Sequence, residues 1–176
     1  MDSMRRVILS LLILCGLSHA IFIDATIQDS RIVDDNHIYK PEGIVGTAFE
    51  IGFFNETENI IDYTLAFGIR RFGYSYDGGN ETVATWAIEF KPLIWSITLW
   101  NVSFEANLGI MKTIAGHHYR EDGDGNNLDY GFRLGYQINS QFMASISYTE
   151  QRPVEATLRL FTLGGWGVNF QYNLPW

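Results

Sequence analysis

From Ile21 onward the chain alternates apolar with polar or small positions, the period of a strand that shows one face to an apolar phase. The first run sets Ile21, Ile23, Ala25 and Ile27 against Phe22, Asp24, Thr26 and Gln28. The second, about 44–54, sets Val45, Thr47, Phe49, Ile51 and Phe53 against Gly46, Ala48, Glu50 and Gly52. A third, about 60–74, places Ile61 to Ile69 opposite Asp62, Thr64, Ala66, Gly68 and Arg70, and its continuation points Arg71 outward unless a bulge intervenes or the residue lies at an interface. The fourth, about 81–90, ends at Lys91-Pro92, where a residue without an N–H cannot serve the ladder. The fifth is the cleanest, with Trp100, Val102, Phe104, Ala106, Leu108 and Ile110 on one side and Leu99, Asn101, Ser103, Glu105, Asn107 and Gly109 on the other. Leu128 to Ile138, Phe142 to Thr149 and Gly165 to Trp176 complete a set of eight, the last carrying Trp166, Val168, Phe170, Tyr172, Leu174 and Trp176 in one row.

The segments between these runs differ in length by position. The connections at 55–59, 91–96 and 139–141 are short, and those at 32–43, 75–80, 115–127 and 150–164 are longer. Within the last, Leu158 to Phe161 reads as a short helix or a strand extension. Short turns on one side and longer loops on the other, with an even strand count, predict an eight-stranded antiparallel transmembrane β-barrel of outer-membrane type, both termini in the periplasm. A soluble barrel of lipocalin kind is the competing fold. It would point the apolar rows inward, but those rows are rich in aromatics near their ends, as membrane girdles are, and the opposite rows are too charged for a calyx.

The beginning of the chain has another character. Arg5 and Arg6 precede the apolar run Val7 to Leu17, and Ser18-His19-Ala20 supplies small residues at −3 and −1, so residues 1–20 read as a secretory signal peptide and 21–176 as the barrel. The apolar run is too short to span a bilayer as a helix. Cys15, the single cysteine, falls inside it, and Leu14 before it disfavours a lipoprotein signal, so neither a disulfide nor a thiolate metal site is expected in the mature chain. Without the leader, ten Lys and Arg stand against nineteen Asp and Glu, and this acidic balance argues against nucleic acid as a partner.

The inward rows carry Glu50, Asp62, Arg70, Glu89, Glu105, Asp129 and Arg133. Side chains just fill a barrel of eight strands, so these charges are expected to pair as a buried polar network rather than to line a pore or proton path. The loop Asp122-Gly123-Asp124-Gly125-Asn126 opens like a calcium loop, but Asn127 and Arg133 stand where glycine and glutamate are required, so it reads as a solvated acidic loop with no metal. His117 and His118 are adjacent and point apart on extended chain, which suits chelation poorly.

Several stretches together resemble the lipid A 3-O-deacylase (PagL-like, acyloxyacyl hydrolase-like) barrels. They are Ala87 to Phe90, Ser103 to Gly109, Leu128 to Tyr136 and the ending Tyr172 to Trp176, all in the second half of the chain. The resemblance implies contact with lipid A and lipopolysaccharide, insertion by the barrel assembly machinery through the strand ending at Trp176, and residence in the outer membrane of a Gram-negative envelope. It also implies a lipid-facing histidine and serine two positions apart on strand seven and a glutamate early on strand eight, in which imidazole takes the serine proton and carboxylate orients the ring. The matching outward positions here are Ile146, Tyr148 and Trp166. A register shifted by one brings Ser145 and Ser147 to the motif, but facing the lumen and still without histidine, since the mature chain has histidine only at 37, 117 and 118. A rim site of the palmitoyltransferase kind would draw on His37, Ser75 and Asp77, in a fold that starts with an amphipathic helix rather than a strand. The resulting expectation is a barrel without catalytic residues or cofactor that meets lipopolysaccharide or surface partners through its loops, the alternative being a lipid A esterase.

Overall fold

The computed structural model describes residues 20–32, 42–55, 61–76, 81–116, 126–153 and 162–174. Residues 1–19 of the proposed signal peptide, His37, Asp77, His117, His118, the Asp122 to Gly125 stretch, Leu158 to Phe161 and Trp176 lie outside these residues, whereas Ala20, the last residue of that peptide, is the first of the opening strand. The described chain forms eight strands: β1 (Ala20–Ile32), β2 (Glu42–Asn55), β3 (Ile61–Tyr76), β4 (Glu81–Leu99), β5 (Val102–Gly116), β6 (Asn126–Gln137), β7 (Phe142–Pro153) and β8 (Leu163–Leu174). Each pairs antiparallel with its sequence neighbours, and β8 pairs back onto β1, so the sheet is a closed barrel with no free edge.

Following cross-strand partners from Ala20 leads through Phe54, Thr64, Ile94, Asn107, Gly131 and Thr149 to Gly165. Gly165 precedes the Gly164↔Arg31 pair in reverse and so faces Ser30, ten residues above the start. A stagger of ten over eight strands tilts the strands by about 40° for ordinary strand spacing and rise, within the range of closed barrels.

The two rows of each strand separate as their chemistry requires. Ile27, Phe49, Ile69, Ile88, Phe104, Ile110, Leu134, Ile146, Trp166 and Phe170 stand exposed on the outer surface, while Asp24, Gln28, Glu50, Arg70, Glu89, Asp129, Gln151 and Asn169 are buried inside. This inverted distribution, polar within and apolar without, is the arrangement for lipid and not for water. It also excludes the lipocalin-like alternative.

Three boundaries depart from the sequence expectation. β4 does not end at Lys91-Pro92 but continues to Leu99, so the connection expected at 91–96 is a tight turn at Trp100 and Asn101. Proline is accommodated because β4 carries one extra residue there: Thr64 and Ala66 on β3 face Ile94 and Lys91, and Phe90 and Leu93 on β4 face Ile110 and Leu108. Such a bulge is where a strand tolerates a missing N–H, and it flips the phase so that Lys91 and Ile94 both point inward. Asn101 accordingly sits in the turn and not in β5. At the other end, Arg152-Pro153 belongs to β7 and not to a loop.

Arg71 does face outward, half-buried, next to an irregularity in β2 between Gly43 and Thr47. Its Nη1 donates to the Val45 carbonyl at 2.8 Å, capping an acceptor that the irregular ladder leaves open.

Apolar layers fill the two ends of the lumen. At the end where β1 begins and β8 finishes, here the terminal end, Phe22, Ala66 and Ile94 pack together. The Phe22 ring lies over Gly52 so closely that an added Cβ would fall 1.9 Å from its Cζ. At the opposite, loop end, Phe72, Tyr74, Ala87, Met111 and Leu163 form a second layer, with Ile32 against it. The charged side chains are held between these layers.

Candidate functional site

The lumen network is built by inward positions on strands far apart in sequence. Arg70 on β3 is its centre, 1 % exposed. Its Nε donates to Glu89 Oε2 at 2.7 Å, Nη2 to Glu50 Oε1 at 3.2 Å, and Nη1 to Gln28 Oε1 at 2.6 Å. Lys91 contacts Glu50 Oε1 at 2.6 Å and Glu89 Oε1 at 3.1 Å, with Asp129 Oδ2 at 3.8 Å. A second group lies toward the terminal end, where Arg133 Nη1 donates to Asp24 Oδ2 at 2.9 Å and to Gln171 Oε1 at 3.3 Å, and Nε lies 3.6 Å from Glu105 Oε2. Asp24 also accepts from Thr26, which accepts from Asn169.

Of the residues singled out from sequence, Glu50, Arg70, Glu89 and Asp129 join the first group and Glu105 and Arg133 the second. Asp62 pairs with Ser96 in the β3–β4 ladder at the terminal end, and its side chain is outside the described set. Two members are additional, Asp24 and Lys91. The sequence places Asp24 in an inward row, and only the barrel's closure brings it to Arg133. Pro92 hides Lys91 by its resemblance to a strand end, although Ala87, Glu89 and Lys91 keep the inward phase up to that proline.

Between the two groups is a cavity of about 10 Å³, lined by Phe22, Glu50, Ile94, Asn107, Arg133 and Gln171 among others, with room for one water. Among the described residues the lumen holds five carboxylates, Asp24, Glu50, Glu89, Glu105 and Asp129, against three cations, Arg70, Lys91 and Arg133. No group of three acids, histidines or cysteines among the described residues is arranged to hold a metal ion. Two opposed ion-pair groups closed off by apolar layers can hold neighbouring strands in register; they offer no aligned nucleophile and base.

On the outer wall, Ile146, Tyr148 and Trp166 belong to an aromatic and aliphatic patch. Tyr148 pairs with Trp166 across β7–β8 and with Phe132 across β6–β7. The Tyr148 and Trp166 rings are 5.2 Å apart, and Phe132 is 5.7 Å from each. Ile146 stands 50 % exposed on the same face, opposite Val168. Ser145 and Ser147 point into the lumen and are buried. Ser75, the rim alternative, is buried at the loop end of β3. Toward the loop end, Tyr148 Oη donates to Glu150 Oε1 at 2.9 Å and Tyr130 Oη to Glu150 Oε2, so two hydroxyls hold one outward carboxylate.

The outer wall also carries a polarity that sequence reasoning did not identify. Seven Lys and Arg occur among the described residues; three lie in the lumen, and the other four, Arg31, Arg71, Lys112 and Arg152, all face outward near the loop ends of β1, β3, β5 and β7. They form a collar with one cation on every second strand. Arg31 is paired with Asp29 on its own strand. Among the residues whose side chains are described, no Lys, Arg, Asp or Glu faces outward in the terminal half.

No protein-family model and no curated protein sequence matches the chain. Solved structures do. The crystal structure of the outer membrane enzyme PagL superposes with a TM-score of 0.56 at 10% identity, covering 85% of this chain and 97% of PagL. Ail, the attachment invasion locus protein of Yersinia pestis, gives 0.51 at 14% identity, covering 88% and 97%, and Neisserial surface protein A gives 0.51 at 10%, covering 87% and 95%. At such identities the likeness establishes the fold, a small outer-membrane type β-barrel, and PagL is one neighbour among several.

Proposed function

We propose that the chain is an integral outer-membrane barrel without hydrolytic chemistry that engages lipopolysaccharide at its loop end. The observation that carries this reading is the collar of Arg31, Arg71, Lys112 and Arg152, outward-facing near the loop ends of their strands, a height that suits the headgroups of an outer leaflet. Lipid A bears phosphates on its sugars, and basic side chains at that depth match them in charge while their aliphatic stems lie along the acyl region. The same asymmetry supports an orientation with the loop end toward the anionic outer leaflet and the terminal end toward the periplasm.

The absence of hydrolysis is supported by the outer wall itself. The resembled hydrolysis of an outer-leaflet ester uses a histidine and a serine on the lipid face of strand seven and a glutamate on strand eight, and Ile146, Tyr148 and Trp166 are none of these. The test is twofold. Purified barrel bearing Arg31→Glu and Arg152→Glu should retain less lipopolysaccharide than the parent on co-purification, and lipid A from cells with and without the protein should have the same acyl content by mass spectrometry. Loss of a 3-hydroxyacyl chain on expression would overturn the reading.

A further inference from the structure

The terminal half of the outer wall carries a depression. It has a volume of about 370 Å³ and is lined by Val102, Leu134, Gly135, Tyr136, Ala144, Ser145, Ile146 and Val168. Its cause is local: Ala144 is opposed by Tyr136 on β6 and Phe170 on β8, so a methyl group sits where large outward side chains flank it. The Ile146–Leu134 and Ile146–Val168 pairs close it toward the middle of the barrel. In the other direction it runs down to Val102 and Tyr136, the pair at the terminal rim of β5 and β6.

At that rim it meets an apolar ledge. Leu99 is 65% exposed, Trp100 98%, Ile138 59% and Phe142 48%. Trp100 occupies the β4–β5 turn with φ of 56°, a left-handed conformation that disfavours a bulky residue. Gln137 N donates to the Asn101 carbonyl at 2.7 Å, so this turn and the β6–β7 turn are tied into one shelf. Around the shelf, among the described residues, only uncharged polar groups face outward: Asn101, Asn139, Ser140 and Gln141.

We propose that this groove and ledge seat one zwitterionic phospholipid of the terminal-end leaflet, an acyl chain lying over Ala144 and the headgroup against Trp100 and the neighbouring amides. The groove is apolar and open to the membrane, so an acyl chain fills it without desolvating a polar group. An indole at the interface, held in place despite a disfavoured backbone, suits the boundary between chain and headgroup. Charge decides the class of lipid. The collar that favours anionic headgroups is at the loop end, and the terminal half offers no outward cation among the described residues, so a headgroup without net charge is the complementary one.

The proposal is tested on the purified full barrel in nanodiscs of equal phosphatidylethanolamine and phosphatidylglycerol, without lipopolysaccharide, so that the outcome leaves the loop-end reading untouched. Released into the gas phase for native mass spectrometry, the parent should retain one phosphatidylethanolamine in preference to phosphatidylglycerol. Ala144→Phe, which fills the groove, should lose it, and Ala25→Phe, an equal enlargement on the outer face of β1, should keep it. Folded state is checked by heat-modifiable gel migration, and Val102→Phe at the rim replaces Ala144→Phe if that variant does not fold. Equal retention by the groove-filled variant, preference for phosphatidylglycerol, or no retained lipid in the parent would each overturn the assignment.

Discussion

Replacing Lys91 with methionine is the sharpest test of how the lumen is held. The change keeps an unbranched chain of similar length in a buried site and removes one of three lumen cations. Glu50 then loses a 2.6 Å partner, Glu89 a 3.1 Å partner, and Asp129 the ammonium at 3.8 Å, leaving Arg70 alone facing that group of acids. Breaking a buried pair by deleting one member costs about 3–5 kcal/mol, because the remaining charge stays desolvated. The same deletion on the acidic side should be milder. Carboxylates outnumber cations here, and Glu105 meets Arg133 only at 3.6 Å while Asp24 holds that guanidinium at 2.9 Å, so Glu105→Gln is expected to cost about 1 kcal/mol. Equilibrium unfolding in urea on lipid vesicles, followed by tryptophan fluorescence, measures both. Adding Glu50→Gln to Lys91→Met should recover part of the loss through a coupling of about 1–3 kcal/mol. A Lys91→Met cost below about 1 kcal/mol, or one no larger than that of the outward Lys112→Met, would refute the network as a source of stability.

Other predictions concern the wall and the turns. Phe104→Arg, at a half-exposed lipid-facing position, should cost roughly 2–4 kcal/mol in the same assay, whereas Asn101→Ser, in a turn bonded through its backbone carbonyl, should be nearly neutral. Gly52→Ala drives a methyl into the Phe22 ring and should destabilise by about 1–3 kcal/mol, with Phe22→Leu in the same chain relieving most of it. Asn139→Ala removes the carbonyl oxygen that accepts from the Gln141 and Phe142 amides, both at 2.9 Å, and should slow hairpin closure and cost about 1 kcal/mol; unchanged unfolding would show that the β6–β7 turn holds without it.

Much of the architecture is legible from single residues because a strand repeats every two positions and a membrane barrel must sort its faces completely. Glu105 between Phe104 and Ala106, or Ser147 between Ile146 and Tyr148, can be assigned to the lumen without knowing any neighbour. The same rule fails where the repeat itself slips. At Pro92 the strand reads as ended and Lys91 as terminal, because a bulge depends on two flanking strands that must each make room for the extra residue, and no local pattern announces that they do.

What the sequence by itself determined, then, is the number of strands, the face of almost every side chain and the absence of a histidine–serine pair from the outer wall of strand seven. The tertiary structure decided which strands meet and at what stagger. That stagger alone brings Arg70 within reach of Gln28, Glu50 and Glu89, three strands' worth of residues, and aligns Arg31, Arg71, Lys112 and Arg152 around one end. The physical reason is that the face of a residue follows from its own strand's pleat, whereas its height and its partners follow from register around a closed sheet, a property of the whole barrel.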